Sequence, residues 1–249
     1  MSDFNNGYAR PLPQSADMSV DAGLRGFMLG VYNKLALGLV VAGALAYVTG
    51  NVPAVQQLLF AVTADGRIGL TMLGMIVQFS PLVLLFGSMF FMKNPTAGGV
   101  NLLYWAVVAS IGAGLGIVFL RYTGASVAST FFVTAAAFGA LSLFGYTTKK
   151  NLTGWGSFLI MGVIGLVIAM VVNMFLQSSM MALIISAIGV LIFSGLIAYD
   201  TQRLKMTYYA LGGDKAAMGV ATGFGALSLF INFINLFQFL LMFMGGNRE

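Results

Sequence analysis

Seven apolar stretches, each about as long as the 20 residues a helix needs to cross a bilayer, dominate this sequence. They lie at roughly 29 to 50, 68 to 92, 97 to 120, 125 to 147, 152 to 176, 180 to 200 and 217 to 244. Strands of a membrane barrel would be nearer 10 residues and would alternate strictly, so helices are expected. The chain is 59% hydrophobic and 8% charged, against about 25% charged in a soluble domain. Lipid must therefore solvate most of its surface. The stretches use nearly the whole length, and the expected fold is an all-α integral membrane protein, a seven-helix bundle spanning 26–249. Residues 1–25 are polar, carry Pro11, Pro13, Asp3, Asp17 and Asp21, and lack the apolar core of a cleavable signal. They read as a cytoplasmic tail.

The twelve basic residues fall in connections or near span ends, so the positive-inside rule applies by counting. With the N-terminus cytoplasmic, Arg10, Arg25, Lys34, Lys93, Lys149, Lys150, Arg203, Lys205 and Lys215 share the cytoplasmic side. Arg67, Arg121 and Arg248 take the other. Seven full spans put the C-terminus opposite the N-terminus, and a re-entrant last segment would return it. The net charge of +5 is then a matter of topology and anionic lipid, and nucleic acid is not an expected partner.

Several small residues recur three or four positions apart within spans: Gly38 with Ala42, Gly112 with Gly116, Gly162 with Gly165. Such spacing lets helices approach closely. The run Gly112, Gly114, Gly116 resembles part of a dinucleotide fingerprint but has no flanking strand, so packing is the better reading. The string FGALSLF occurs at 138–144 and again at 224–230, in spans of opposite direction; its flanks match poorly, as chance repetition would.

The absence of histidine weighs against serine hydrolysis with a histidine base and against histidine-bound zinc. Cysteine is absent as well. No Asp or Glu occurs between Arg67 and Tyr199, so a pair of intramembrane catalytic acids is also lacking. A non-enzymatic protein without a resident cofactor is expected.

Asp200 is the one carboxylate contiguous with a long apolar stretch, at the cytoplasmic end of span six in IAYDTQRLK. An acid at mid-span costs about 2.5–3.5 kcal/mol on insertion scales, and less near the interface. Arg203 stands at i+3 and could simply pair with it. In span seven, Gly225, Ser228, Asn232 and Asn235 recur at spacings of three and four, continued by Gln238, and form a polar stripe on one helical face. Two readings of that stripe are equally open: interhelical hydrogen bonds, or one wall of a hydrated cation path. In span two, Gln78 and Ser80 precede Pro81. Proline has no N–H, so it kinks the helix or frees the Val77 carbonyl for a neighbour. Acid, amides and carbonyl would together offer oxygen ligands, which calcium favours.

The string YDTQRLK at 199–205, with ALSLFINFINLFQFLL at 226–241, resembles the signature of the Bax inhibitor-1 family, in a bacterial-type member. The resemblance covers about residues 25–245. It implies a seven-helix bundle with a central last helix, a pH-sensitive calcium leak, and an inner-membrane location. In relatives two aspartates of the last two spans share a proton. Asp200 matches the first, whereas LFINFINLF places Asn232 at the second. Two adjacent carboxylates titrate as a coupled pair through repulsion, and an Asp–Asn pair has none. On this resemblance Asp200 is the charged ligand and gate, a transient calcium site; Asn232, Asn235, Ser228 and Gln78 line the path; Arg203 or Lys93 acts as latch. The alternative is a non-conducting regulator that binds a membrane-bound protease or other membrane partners, with the N-terminal tail as docking element.

Overall fold

The computed structural model describes residues 22–62 and 68–245. The first turn of α1 begins at Ala22, and residues 1–21, most of the expected tail, lie outside the described residues. Helices account for nearly all of the rest: α1 (Ala22–Asn51), a short α2 (Pro53–Leu59), α3 (Met72–Phe91), α4 (Ala97–Gly114), α5 (Gly116–Arg121), α6 (Gly124–Thr147), α7 (Thr153–Leu176), α8 (Ser179–Leu211) and α9 (Lys215–Met244). Seven spans result when α4 and α5 are taken as one crossing. This is the expected all-α membrane bundle.

Helix starts are written in the sequence by short polar residues. The side chains of Thr71, Thr96, Thr123, Ser178 and Asp214 accept from backbone N–H groups in the first turns of α3, α4, α6, α8 and α9, filling donors that a helix start leaves open. Thr71 corrects the boundary of span two. The helix starts at Met72, and residues 68–70, read from hydropathy as membrane helix, form strand β2 (Ile68–Leu70), paired antiparallel with β1 (Phe60–Val62). Hydropathy alone does not separate an apolar strand from an apolar helix end.

Span three is broken at Leu115. Beside the break, the Thr49 hydroxyl of α1 lies 3.0 Å from the Ala113 carbonyl and 2.9 Å from its own Leu45 carbonyl. A methyl built on Gly112 would come 2.7 Å from Ala42 Cα, and one on Gly116 would overlap Thr49 Oγ1. The glycine run therefore serves contact between α1 and span three. Of the other spaced pairs, Gly38 faces Tyr104 and Gly162 faces Ile192, whereas Gly165 meets nothing.

α9 is the axis of the bundle. It is one unbroken helix of 30 residues, about 45 Å at 1.5 Å per residue, so it crosses without re-entry. Of its membrane window 56% is buried within protein, against 6% for α3. α1, α4, α6 and α8 pack around it. Phenylalanine rings fill the seams: Phe233 lies 5.5 Å from Phe138 and 5.6 Å from Phe131, and Phe193 stacks on Phe239 at 5.7 Å. With no hydrophobic drive between helices in lipid, such packing carries much of the cohesion.

Candidate functional site

Four consecutive residues of an α-helix sweep a full turn, so a helix can bury all of them only if protein surrounds it. α8 comes close to that condition at 199–202, where Tyr199 is half-buried and the next three residues are buried. It packs on α6, α7 and α9, and Asp200, Thr201 and Gln202 are 5%, 0% and 8% exposed. Each addresses a different neighbour. Tyr199 lies against α7, where a methyl on Gly156 would sit 2.5 Å from its ring. Asp200 turns to α9. Thr201 Oγ1 is 3.0 Å from Ser142 Oγ of α6, and Ser142 Oγ is 2.5 Å from the hydroxyl of Tyr32 on α1. Gln202 clamps the α6–α7 connection, donating to the Lys150 carbonyl at 2.8 Å and accepting from the Leu152 N–H at 2.7 Å.

That clamp fixes the depth of the site. Asp200 lies level with the α6–α7 connection, and α8 continues beyond it to Leu211. The helix does not end with the apolar stretch at Asp200: polar residues stop a hydropathy window but do not stop a helix, and α8 runs on through Arg203, Lys205 and Thr207. Lys205 Nζ reaches the Tyr146 carbonyl at 3.4 Å. A methyl on Gly225 of α9 would overlap Leu204, so the glycine lets α8 and α9 close on each other here.

The carboxylate of Asp200 has three donors. Ser228 Oγ donates to Oδ2 at 2.5 Å, and Asn232 Nδ2 donates to the same oxygen at 2.8 Å. The Arg203 guanidinium approaches Oδ1 at 3.2 Å while its side chain remains 49% exposed, and it also lies 5.7 Å from the Tyr199 ring centroid. A charge withdrawn from water is tolerable when its lone pairs are filled in this way. The two FGALSLF serines, Ser142 and Ser228, thus contact successive residues of α8 from two neighbouring helices. Among described residues no group of three or more His, Cys, Asp or Glu could hold a metal; any cation here would be met by one carboxylate with hydroxyl and amide oxygens.

Of the residues expected in the site, Asp200, Ser228, Asn232 and Arg203 come together. The others do not. Asn235 donates to the Ile231 carbonyl of its own helix at 2.8 Å. Gln78 sits exposed on α3, which packs on α4 without substantial contact to α8 or α9. The Val77 carbonyl accepts from Ser80 Oγ at 2.8 Å, so the oxygen expected to be freed by Pro81 is already satisfied. Lys93 is exposed in the α3–α4 connection, with no ion pair among the described residues. Sequence reasoning passed over Tyr32, Ser142, Thr201 and Gln202; the signal was the position of Thr201 and Gln202 inside the signature string itself.

Comparison with known proteins bears on the family. The family model described as inhibitor of apoptosis-promoting Bax1 matches residues 24–249. A protein of Caulobacter vibrioides is 68% identical, with the whole of both chains covered. One of Rickettsia prowazekii is 41% identical over 94% of this chain and 95% of its own length. The inner membrane protein YbhL of Escherichia coli is 40% identical over 91% and 94%. The signature residues that converge on Asp200 thus lie within a full-length match, and the chain belongs to the Bax inhibitor-1 family.

Proposed function

We propose that this protein is a cation leak pathway, with calcium the preferred ion, gated where Asp200 meets α9, and that it performs no catalysis. The observation that supports this is the Asp200 carboxylate, 5% exposed inside a membrane bundle and held by Ser228, Asn232 and Arg203. Ionisable groups kept within membrane bundles mark ion and substrate paths by default. The oxygens of Asp200, Ser228 and Asn232 are the ligand type that a hard cation takes. Arg203 is the natural latch: an i,i+3 pair with a half-exposed partner contributes only a few tenths of a kcal/mol, so an arriving cation displaces it at small cost. Beyond Asn232 the α9 core is closed by buried Phe233 and Phe237, which fits a shut gate whose opening requires α8 and α9 to part.

On this reading the N-terminus and the α6–α7 connection are cytoplasmic, and the likeness to the Escherichia coli inner membrane protein YbhL supports the bacterial inner membrane as the location. The test is calcium entry into dye-loaded liposomes containing the purified protein, from about pH 5 to 8, the range in which coupled carboxylates titrate. The parent should exceed empty liposomes, and Asp200→Asn should lose most calcium selectivity. No flux above background at any pH would sink the conduit and leave the regulatory reading.

A further inference from the structure

Next to Asn232 and running away from Asp200 along α9, α1 and α6 both lean on α9 without substantial contact with each other. They leave a side-open cleft of about 370 Å³, a size typical of small-molecule sites. Gly43 and Ala46 of α1, Phe119 of α5 and Phe131 of α6 form its walls, with Phe233 and Phe237 of α9 as the floor. Every residue lining it is apolar or glycine. At its rim, Val40 is 69% and Phe132 72% exposed, so in a membrane the mouth opens on hydrocarbon. Water has no partner in such a space. The medium at the mouth is acyl chain.

A charge stands where a headgroup would be. Arg121 ends α5, between Phe119 and Gly124, which both line the cleft. It is exposed and has no ion pair or hydrogen bond among the described residues. A guanidinium at a span end suits a phosphate, which it grips in fork geometry. We infer that the cleft between α1 and α6 seats one acyl chain of a bilayer phospholipid, with the lipid phosphate on Arg121. The seated chain touches Phe233, the residue after Asn232 on α9, so the lipid rests against the helix that holds Asp200. The inference does not depend on the cation-path reading.

Native mass spectrometry of the full-length protein, released from nanodiscs of phosphatidylglycerol and phosphatidylethanolamine, counts retained phospholipid directly. Gly43→Leu fills the cleft, and the fold accepts it, since a Cβ at Gly43 meets nothing within 4 Å. Gly139→Leu, on α6 outside the cleft and equally clear of neighbours, is the control. Parent and control should retain one phospholipid, and Gly43→Leu should retain about fivefold less or lower, because the site is filled rather than weakened. Arg121→Gln should lose retention by a similar factor. Should Gly43→Leu fail to fold, Ala128→Leu, on the cleft's α6 wall, carries the same test. Equal retention in a folded cleft-filled variant overturns the seat. Loss in the Gly139→Leu control means a general lipid annulus and overturns it too. Retention unchanged by Arg121→Gln overturns the phosphate assignment.

Discussion

A double-mutant cycle on Asp200 and Asn232 probes the meeting of α8 and α9 most directly. Asn232→Leu removes the 2.8 Å donor to Asp200 Oδ2 with little change in volume. Hydrogen bonds to a charged group contribute about 1.5–3 kcal/mol, whereas neutral contacts between membrane helices average about 0.6 kcal/mol. In the parent the substitution should therefore cost about 1.5–3 kcal/mol. In an Asp200→Asn background the partner is neutral, and the cost should fall to about 0.6 kcal/mol. The coupling is the difference, about 0.9–2.4 kcal/mol, and packing changes common to both backgrounds cancel in it. For a chain of this length each kcal/mol moves the midpoint by about 2–4 °C. Thermal unfolding of the full chain in detergent, followed by circular dichroism, should show Asn232→Leu lowering Tm several degrees more in the parent than in Asp200→Asn. Additivity to within about 0.3 kcal/mol would refute the reasoning, because residues not in contact do not couple.

Three further outcomes follow from the same geometry. Gly145→Val should destabilise the bundle by about 1–3 kcal/mol, since even a methyl there overlaps the Ala198 carbonyl oxygen of α8; thermal unfolding checks it, and an unchanged Tm would place α6 farther from α8. Gln202→Ala releases both ends of the clamp on Lys150 and Leu152 and should speed proteolysis in the α6–α7 connection at Lys149 and Lys150 while leaving flux selectivity intact, read by limited trypsin digestion. Asn232→Asp sets a second carboxylate within contact of Asp200, where repulsion makes the pair titrate jointly. Its liposome flux should vary between about pH 5 and 8 more steeply than the parent's, and a profile that tracks the parent's would count against the contact.

Much of this was legible without coordinates. Span number follows from hydropathy, the central last helix is what the family resemblance implies, and Asp200, Ser228 and Asn232 are singled out by the cost of a lone acid beside a long apolar helix and by the spacing of the polar stripe. A polar stripe, however, states only which residues share a face of one helix. It does not state which helix lies opposite, or for how many turns. Asn235 belongs to the same stripe yet bonds its own backbone, although α8 and α9 stay in contact past it, where Phe193 stacks on Phe239. Pro81 announced a freed carbonyl, but Ser80, one residue away, takes it. A local donor needs no tertiary contact and so reaches the carbonyl first.

The sequence by itself determined the solvent and the elements: with 59% hydrophobic residues and 8% charged, only a lipid-solvated helical bundle satisfies the backbone, and the caps at Thr71, Thr96, Thr123, Ser178 and Asp214 set where most crossings begin. The tertiary structure alone decided which neighbour each residue of YDTQRLK addresses. Adjacent side chains on a helix point about 100° apart, so Asp200, Thr201 and Gln202 are sorted among α9, α6 and the α6–α7 connection by the azimuth at which α8 is inserted. That rotation is fixed by close contacts made far apart in the chain, such as Gly145 with Ala198 and Gly225 with Leu204, and no local pattern records it.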